Sequence, residues 1–155
     1  MEGAALLEPL RSVGLCGISC NRKDYGTHVS VSTVWLCLPD GTVLRFQPEM
    51  HDLEGWDEVG SLGIDKSDLS EVVPPLVTLS SQWQHVASIE KLVISEPDYF
   101  SAESGLKITN REKETIIICN GAAPYELALS TPAVHDAFNP EYPLERYVLC
   151  PVFPK

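Results

Sequence analysis

The chain has 155 residues, 44% of them hydrophobic, and a formal net charge of −11 at pH 7. That length gives a single domain over residues 1–155, able to bury roughly 70% of the surface its unfolded chain exposes without a metal or disulfide staple. The acidity argues against nucleic acid and anionic membrane as partners and favours a basic protein; no apolar run nears the ~20 residues of a membrane span, and the acidic start with Glu2 and Glu8 is unlike a signal peptide.

Ala4 to Leu10 reads as a short helix interrupted or started at Pro9, and Val13 to Cys20 as a glycine-bearing strand. Asn21 to Tyr25 is polar and reads as a loop. Val29 to Leu38, rich in Val, Thr and Trp, is a strand. Pro39-Asp40-Gly41 makes the turn after it, because Pro presets φ and Gly tolerates positive φ. Val43–Gln47 then pairs back onto Val34–Leu38 as a β-hairpin.

From Pro48 to Glu71 the chain is strongly acidic. Glu49, Asp52, Glu54, Asp57, Glu58, Asp65, Asp68 and Glu71 face a single opposing charge, Lys66, so this window holds −7 of the net −11. Trp56, Val59, Leu62 and Ile64 lie within it and need packing partners, which points to an ordered loop with a short strand over Val59–Ile64. Pro74-Pro75 punctuates the chain. Leu76 to Ser88 fits either a short helix or an irregular bridge, with Trp83 and Val86 inward.

Ile89, Leu92 and Ile94 mark a strand ended by Pro97. Gly105–Thr109 and Glu114–Cys119 form a second hairpin about the turn Asn110-Arg111-Glu112-Lys113. The run Ile116-Ile117-Ile118 is apolar on both faces, as in a central strand covered twice. Tyr125–Leu129 follows as a further strand, His135–Pro143 as loop, and Tyr147–Val152 as a last strand. The fold class expected is α+β, mainly antiparallel sheet built from hairpins, with one or two short helices.

The five cysteines are an odd set without a secretory signal, which implies reduced thiols in a cytoplasmic protein. Cys37, Cys119 and Cys150 sit in apolar runs and read as small buried hydrophobes. Cys16 and Cys20, four apart, lie about 13 Å apart on an extended strand and cannot share a ligand. No second Cys or His pair completes a zinc set, since His28, His51, His85 and His135 are scattered. An EF-hand loop begun at Asp52 fails, because Trp56 falls where a liganding oxygen is needed and Asp57 where glycine is. No nucleophile elbow, dinucleotide fingerprint or phosphate loop is present. Catalytic residues, metal and cofactor are therefore all expected to be none.

Trp56 stands among charges in Leu53-Glu54-Gly55-Trp56-Asp57-Glu58, where an indole can anchor an interface or cover a core edge. The expected partner-binding residues are Asp52, Glu54, Trp56, Asp57 and Glu58.

Leu38-Pro-Asp-Gly-Thr-Val-Leu44, Met50-His51-Asp52, Glu58-Val-Gly-Ser-Leu62, Gly121-Ala-Ala-Pro-Tyr125 and Phe138-Asn-Pro-Glu-Tyr-Pro-Leu144 give the chain a general pattern. In that pattern it resembles small acidic single-domain bacterial proteins, many of them immunity proteins encoded beside a secreted toxin. The resemblance implies a cytosolic inhibitor that binds a toxin domain and brings no catalytic residues. The function expected is thus a non-enzymatic binding protein that occludes a basic site with its acidic face. A structural or regulatory module without a toxin partner is the second reading, and a hydrolase or metal-dependent enzyme the third.

Overall fold

The computed structural model describes residues 3–52 and 58–153. Two five-stranded antiparallel sheets make the frame. The first runs β6 (Glu58–Ser67), β5 (Val43–Asp52), β4 (Val34–Cys37), β1 (Gly17–Cys20), β7 (Val77–Thr78). The second runs β11 (Leu127–Ser130), β10 (Thr115–Asn120), β9 (Phe100–Asn110), β8 (Val86–Glu96), β12 (Val148–Pro151). A two-stranded ribbon, β2 (Lys23–Asp24) with β3 (Val29–Ser30), stands apart. One α-helix, α1 (Ala4–Val13), packs on β8 and β6 through Leu7 and Leu10, which share a helix face and are fully buried. Strand so outweighs helix that the helix is an addition to a β framework, the mainly antiparallel part of the expected class.

The sheets meet over one core. Val34, Leu36, Leu44, Phe46, Leu62 and Ile64 of the first face Ile89, Leu106, Ile108, Ile116, Ile118 and Leu129 of the second. The triple isoleucine behaves as its pattern requires, because alternate strand residues point to opposite faces. Ile116 and Ile118 enter the shared core, while Ile117 joins Cys119, Leu92, Ile94 and Tyr147 on the other face. Phe100, Phe138 and Tyr142 roof that second layer.

Both expected hairpins form. Val34 pairs with Phe46 and Cys37 with Val43, and the Leu38 carbonyl accepts from Gly41 N at 3.1 Å with Gly41 at φ 89°. Thr109 pairs with Thr115, and the intervening turn is fixed by Glu114 N donating to Asn110 Oδ1 at 3.0 Å.

Several boundaries differ. The strand expected over Val59–Ile64 forms and is longer: β6 runs from Glu58 to Ser67 and pairs with a β5 that continues through the acidic stretch to Asp52. Pro48, where the acidic stretch begins one residue past the expected strand Val43–Gln47, lies opposite Leu62 within the pair. The expected strand Val29–Leu38 is broken, because Asn21 Oδ1 accepts from Ser32 N and Thr33 N at 3.0 and 2.8 Å and takes those amides out of any ladder. Asn21–Tyr25 contains β2 instead of being all loop. The ambiguous Leu76–Ser88 resolves into β7, a 3-10 turn over Ser81–Gln84 with Trp83 buried, and the start of β8. β9 begins at Phe100, five residues before the expected Gly105. β11 begins at Leu127, since Tyr125 is exposed with φ 62° and cannot extend the strand.

Candidate interaction surface

The β5–β6 pair is a long arm on the rim of the first sheet, and among the described residues it carries Glu49, Asp52, Glu58 and Asp65 of the acidic window. Its register places Asp52 opposite Glu58 at the arm's end. Of the expected partner-binding residues these two are thereby brought together in the backbone, while Glu54, Trp56 and Asp57 lie outside the described residues.

Lower on the arm the charges divide. Arg45 draws in two carboxylates, Glu71 at 3.2 Å and Asp65 at 3.6 Å. Glu49 is exposed and makes no ion pair among the described residues. Its carboxylate leans across Gly63, with Oε1 only 2.5 Å from where a Gly63 β-carbon would stand. His51 Nε2 meets Ser61 Oγ at 2.6 Å. Glu49, His51, Ser61 and Asp65 on the arm, with Phe100 and Ala102 on β9, line a groove of about 710 Å³. Glu49 and Asp65 stand in the acidic window, but nothing local in the sequence places these residues together along one groove. The signal that could have found them was period 2 along Glu49-Met50-His51 and Ser61-Leu62-Gly63-Ile64-Asp65, which lies past Gln47, where the expected strand ended.

The arm is locked to the second sheet at its middle. A bulge in β9, where Leu92 pairs with Gly105 but Val93 with Glu103, leaves Ser104 as the extra residue, fully buried. Ser104 Oγ donates to Gly60 O at 2.7 Å, and Asn120 Nδ2 donates to Ser104 O at 3.2 Å. Glu141 N in turn donates to Asn120 O at 3.0 Å. The Glu141 carboxyl is pushed above its usual range by burial, an effect the Gly60 amide beside it offsets in part.

The sulfur chemistry is quiet. All five cysteines are free, with Cys37 and Cys119 buried, Cys20 and Cys150 half-buried and Cys16 exposed. Burial, with a smaller push from Glu141, raises the Cys119 thiol to about 12. Burial likewise raises Cys20 and Cys37. A raised pKa keeps a thiol protonated at neutral pH and weakens it as nucleophile or metal ligand. Among the described residues no group of three His, Cys, Asp or Glu side chains is placed to hold a metal.

At the opposite rim a mostly apolar cavity of about 350 Å³ opens between the sheets, among Ile18, Val77, Leu79, Trp83, Leu129 and Val134. Arg22, also on its lining, is tied to Asp136 by both guanidinium nitrogens. No helix of the described residues is long and apolar enough to cross a membrane.

Comparison with protein-family models, with curated proteins and with solved structures finds no match to this chain.

Proposed function

We propose that this chain is a non-enzymatic binding protein of the immunity type, which neutralises a bacterial toxin domain in the cytoplasm by covering a basic site with its acidic arm. The observation that carries this reading is the pairing of Asp52 opposite Glu58 on the rim strands that also carry Glu49 and Asp65, with Glu54, Trp56 and Asp57 between Asp52 and Glu58 in sequence. A net −7 held in one segment costs self-repulsion, and the remaining −4 already serves solubility. Such a surface steers a basic partner and sets the on-rate, while an indole buried on docking slows release.

The test is capture of the cognate partner by wild type and by a Trp56→Ala, Asp57→Lys, Glu58→Lys triple variant, after the variant is found to be folded. Loss of capture is expected, with wild-type association slowing steeply as salt rises past the point where exposed charges are screened beyond ~8 Å. Undiminished capture by the triple variant overturns the reading.

A regulatory module without a toxin partner is favoured by a different observation, the apolar cavity between the sheets at the far rim. A melting temperature raised by small apolar compounds, with no retained protein partner, would select it.

A further inference from the structure

β7 is the outer strand of the first sheet on the side away from the acidic arm, and beside it the sheets part over the apolar cavity of about 350 Å³. Ile18, Trp83 and Leu129, all buried, make its floor, and Val77, Pro132 and Ala133, all exposed, its lip. An apolar cavity of roughly 150 Å³ holds one benzene ring, so this one has room for two fused rings with a short substituent. Apolar walls of this extent with a few placed polar groups are the usual seat of a small ligand.

Thr131 supplies such a group. It lies two residues past Leu129, lines the same cavity and is 5% exposed. Its Oγ1 accepts from Ala133 N at 3.2 Å and from Val134 N at 2.9 Å. A hydroxyl has two lone pairs and one proton. Both lone pairs are thus taken by the loop, and the O–H is left without an acceptor among the described residues. A buried donor without a partner is costly, and an acceptor brought in by a ligand recovers that cost. The charges on the lining set the ligand's own charge. Arg22 is held by Asp136 through both guanidinium nitrogens, and Glu114 is an acid. An anionic head would meet no free cation among the described lining residues, and the net charge of −11 opposes it further.

We propose that this cavity binds a neutral apolar molecule of about two fused rings that carries one carbonyl, which accepts the Thr131 O–H. The inference rests on the cavity as a ligand site, the observation behind the second reading above, and adds the ligand's size, charge and functional group. The acidic arm stands at the other edge of the sheet, so a bound ligand leaves it free.

Three probes of one shape test it on the whole chain: methyl naphthyl ketone, isopropylnaphthalene, which has a methyl group in place of the carbonyl oxygen, and naphthoate. Cys20 reports from the lining, where it is half-buried, and Cys16, exposed and off the lining, is the internal control. Saturating ketone is expected to slow alkylation of Cys20 by about fivefold or more and to leave Cys16 unchanged, since a thiol reacts only where the reagent reaches it. Isopropylnaphthalene should bind about two- to tenfold more weakly, the worth of one hydrogen bond, and naphthoate more weakly still. Thr131→Val should erase the preference for the ketone over the hydrocarbon, and Thr131→Ser should keep it. If Thr131→Val does not fold, the ketone and the hydrocarbon on wild type still decide. Equal binding of those two to wild type overturns the carbonyl and leaves the cavity as a purely apolar site. A preference that survives in Thr131→Val overturns Thr131 as the donor. Naphthoate bound as tightly as the ketone overturns the neutral ligand. No protection of Cys20 by any probe overturns the ligand site, and the second reading with it. Protection of Cys20 by the captured protein partner and not by the ketone overturns it in favour of a partner side chain.

Discussion

Gly60 and Asn120 meet so closely that no β-carbon fits between them: one built on Gly60 would lie 2.5 Å from Asn120 Oδ1 and 3.0 Å from its Cβ. Asn120 cannot swing aside freely. It is 1% exposed, and its amide nitrogen is engaged by Ser104 O. This contact joins the acidic arm to the end of β10, so the seating of the arm depends on a glycine that lies within the arm itself.

Gly60→Ala is expected to destabilise the chain by about 1–3 kcal/mol, the usual cost of overpacking a filled site. Gly63→Ala, on the same strand, should cost well under that, because the atom in its way is the terminal oxygen of the exposed Glu49 side chain, which can rotate into solvent. Chemical denaturation of both variants decides the matter. Equal losses would mean that Gly60 is not wedged against Asn120.

The middle of β10 gives a second expectation. Ile118 is fully buried in the core shared by the sheets, and Ile117 is 7% exposed in the layer under Tyr147. Ile118→Ala should cost about 2–5 kcal/mol as a cavity mutation. Ile117→Asp should unfold the chain, since it places an unpaired carboxylate in a buried layer and a whole domain is stable by only about 5–15 kcal/mol. A folded Ile117→Asp variant with ordinary stability would show that the second face is open to water.

This double burial was legible in the sequence, as were both hairpin turns, because Ile-Ile-Ile, Pro-Asp-Gly and Asn-Arg-Glu-Lys state their preferences locally. The arm was not. Pro48 breaks a strand only where its missing N–H is needed, and opposite Leu62 it is not needed. The acidic residues disguised the strand further, since carboxylates are poor strand formers until their faces turn to water. The bulge at Ser104 left no local mark at all. It follows from which residues of β8 and β9 pair, a long-range choice. Of the proposed partner residues, Asp52 and Glu58 could be placed side by side only once the β5–β6 register was known.

The thiols should separate by reaction rate. A thiol count under denaturing, non-reducing conditions is expected to give five, from the five free cysteines. Under native conditions a thiol reagent should take Cys16 first, as the exposed one, and the buried Cys119, with its thiol at about 12, among the last. Mass spectrometry of a labelling time course checks the order. Early labelling of Cys119 would mean that the roof of Phe138, Tyr142 and Tyr147 opens readily, and a count of three would establish a disulfide.

Glu141 makes stability depend on pH in the direction opposite to most carboxylates. It faces the Gly60 amide, the Cys119 thiol and the Tyr147 hydroxyl. Burial raises both the thiol and the hydroxyl, so neither ionises near neutrality, and burial also raises Glu141. A carboxyl whose folded pKa lies above its unfolded value of about 4.3 holds its proton more tightly in the folded chain. Its contribution to stability is full below the unfolded pKa and is lost as pH rises through the folded one. Asp136, lowered by its hydrogen bond to Arg22, and Asp40, lowered by the Thr42 amide, act the other way and lose their contribution in acid. Overall stability against pH therefore mixes the two signs, and the informative quantity is the difference between wild type and Glu141→Gln. Glutamine keeps an acceptor for Gly60 N–H and never ionises. Relative to wild type, Glu141→Gln should gain stability as pH is raised from about 4 towards 7, where wild type alone must ionise a half-buried carboxyl. Urea denaturation of both proteins across that range measures the difference. A difference that stays flat with pH would mean that Glu141 lies in water and away from the arm.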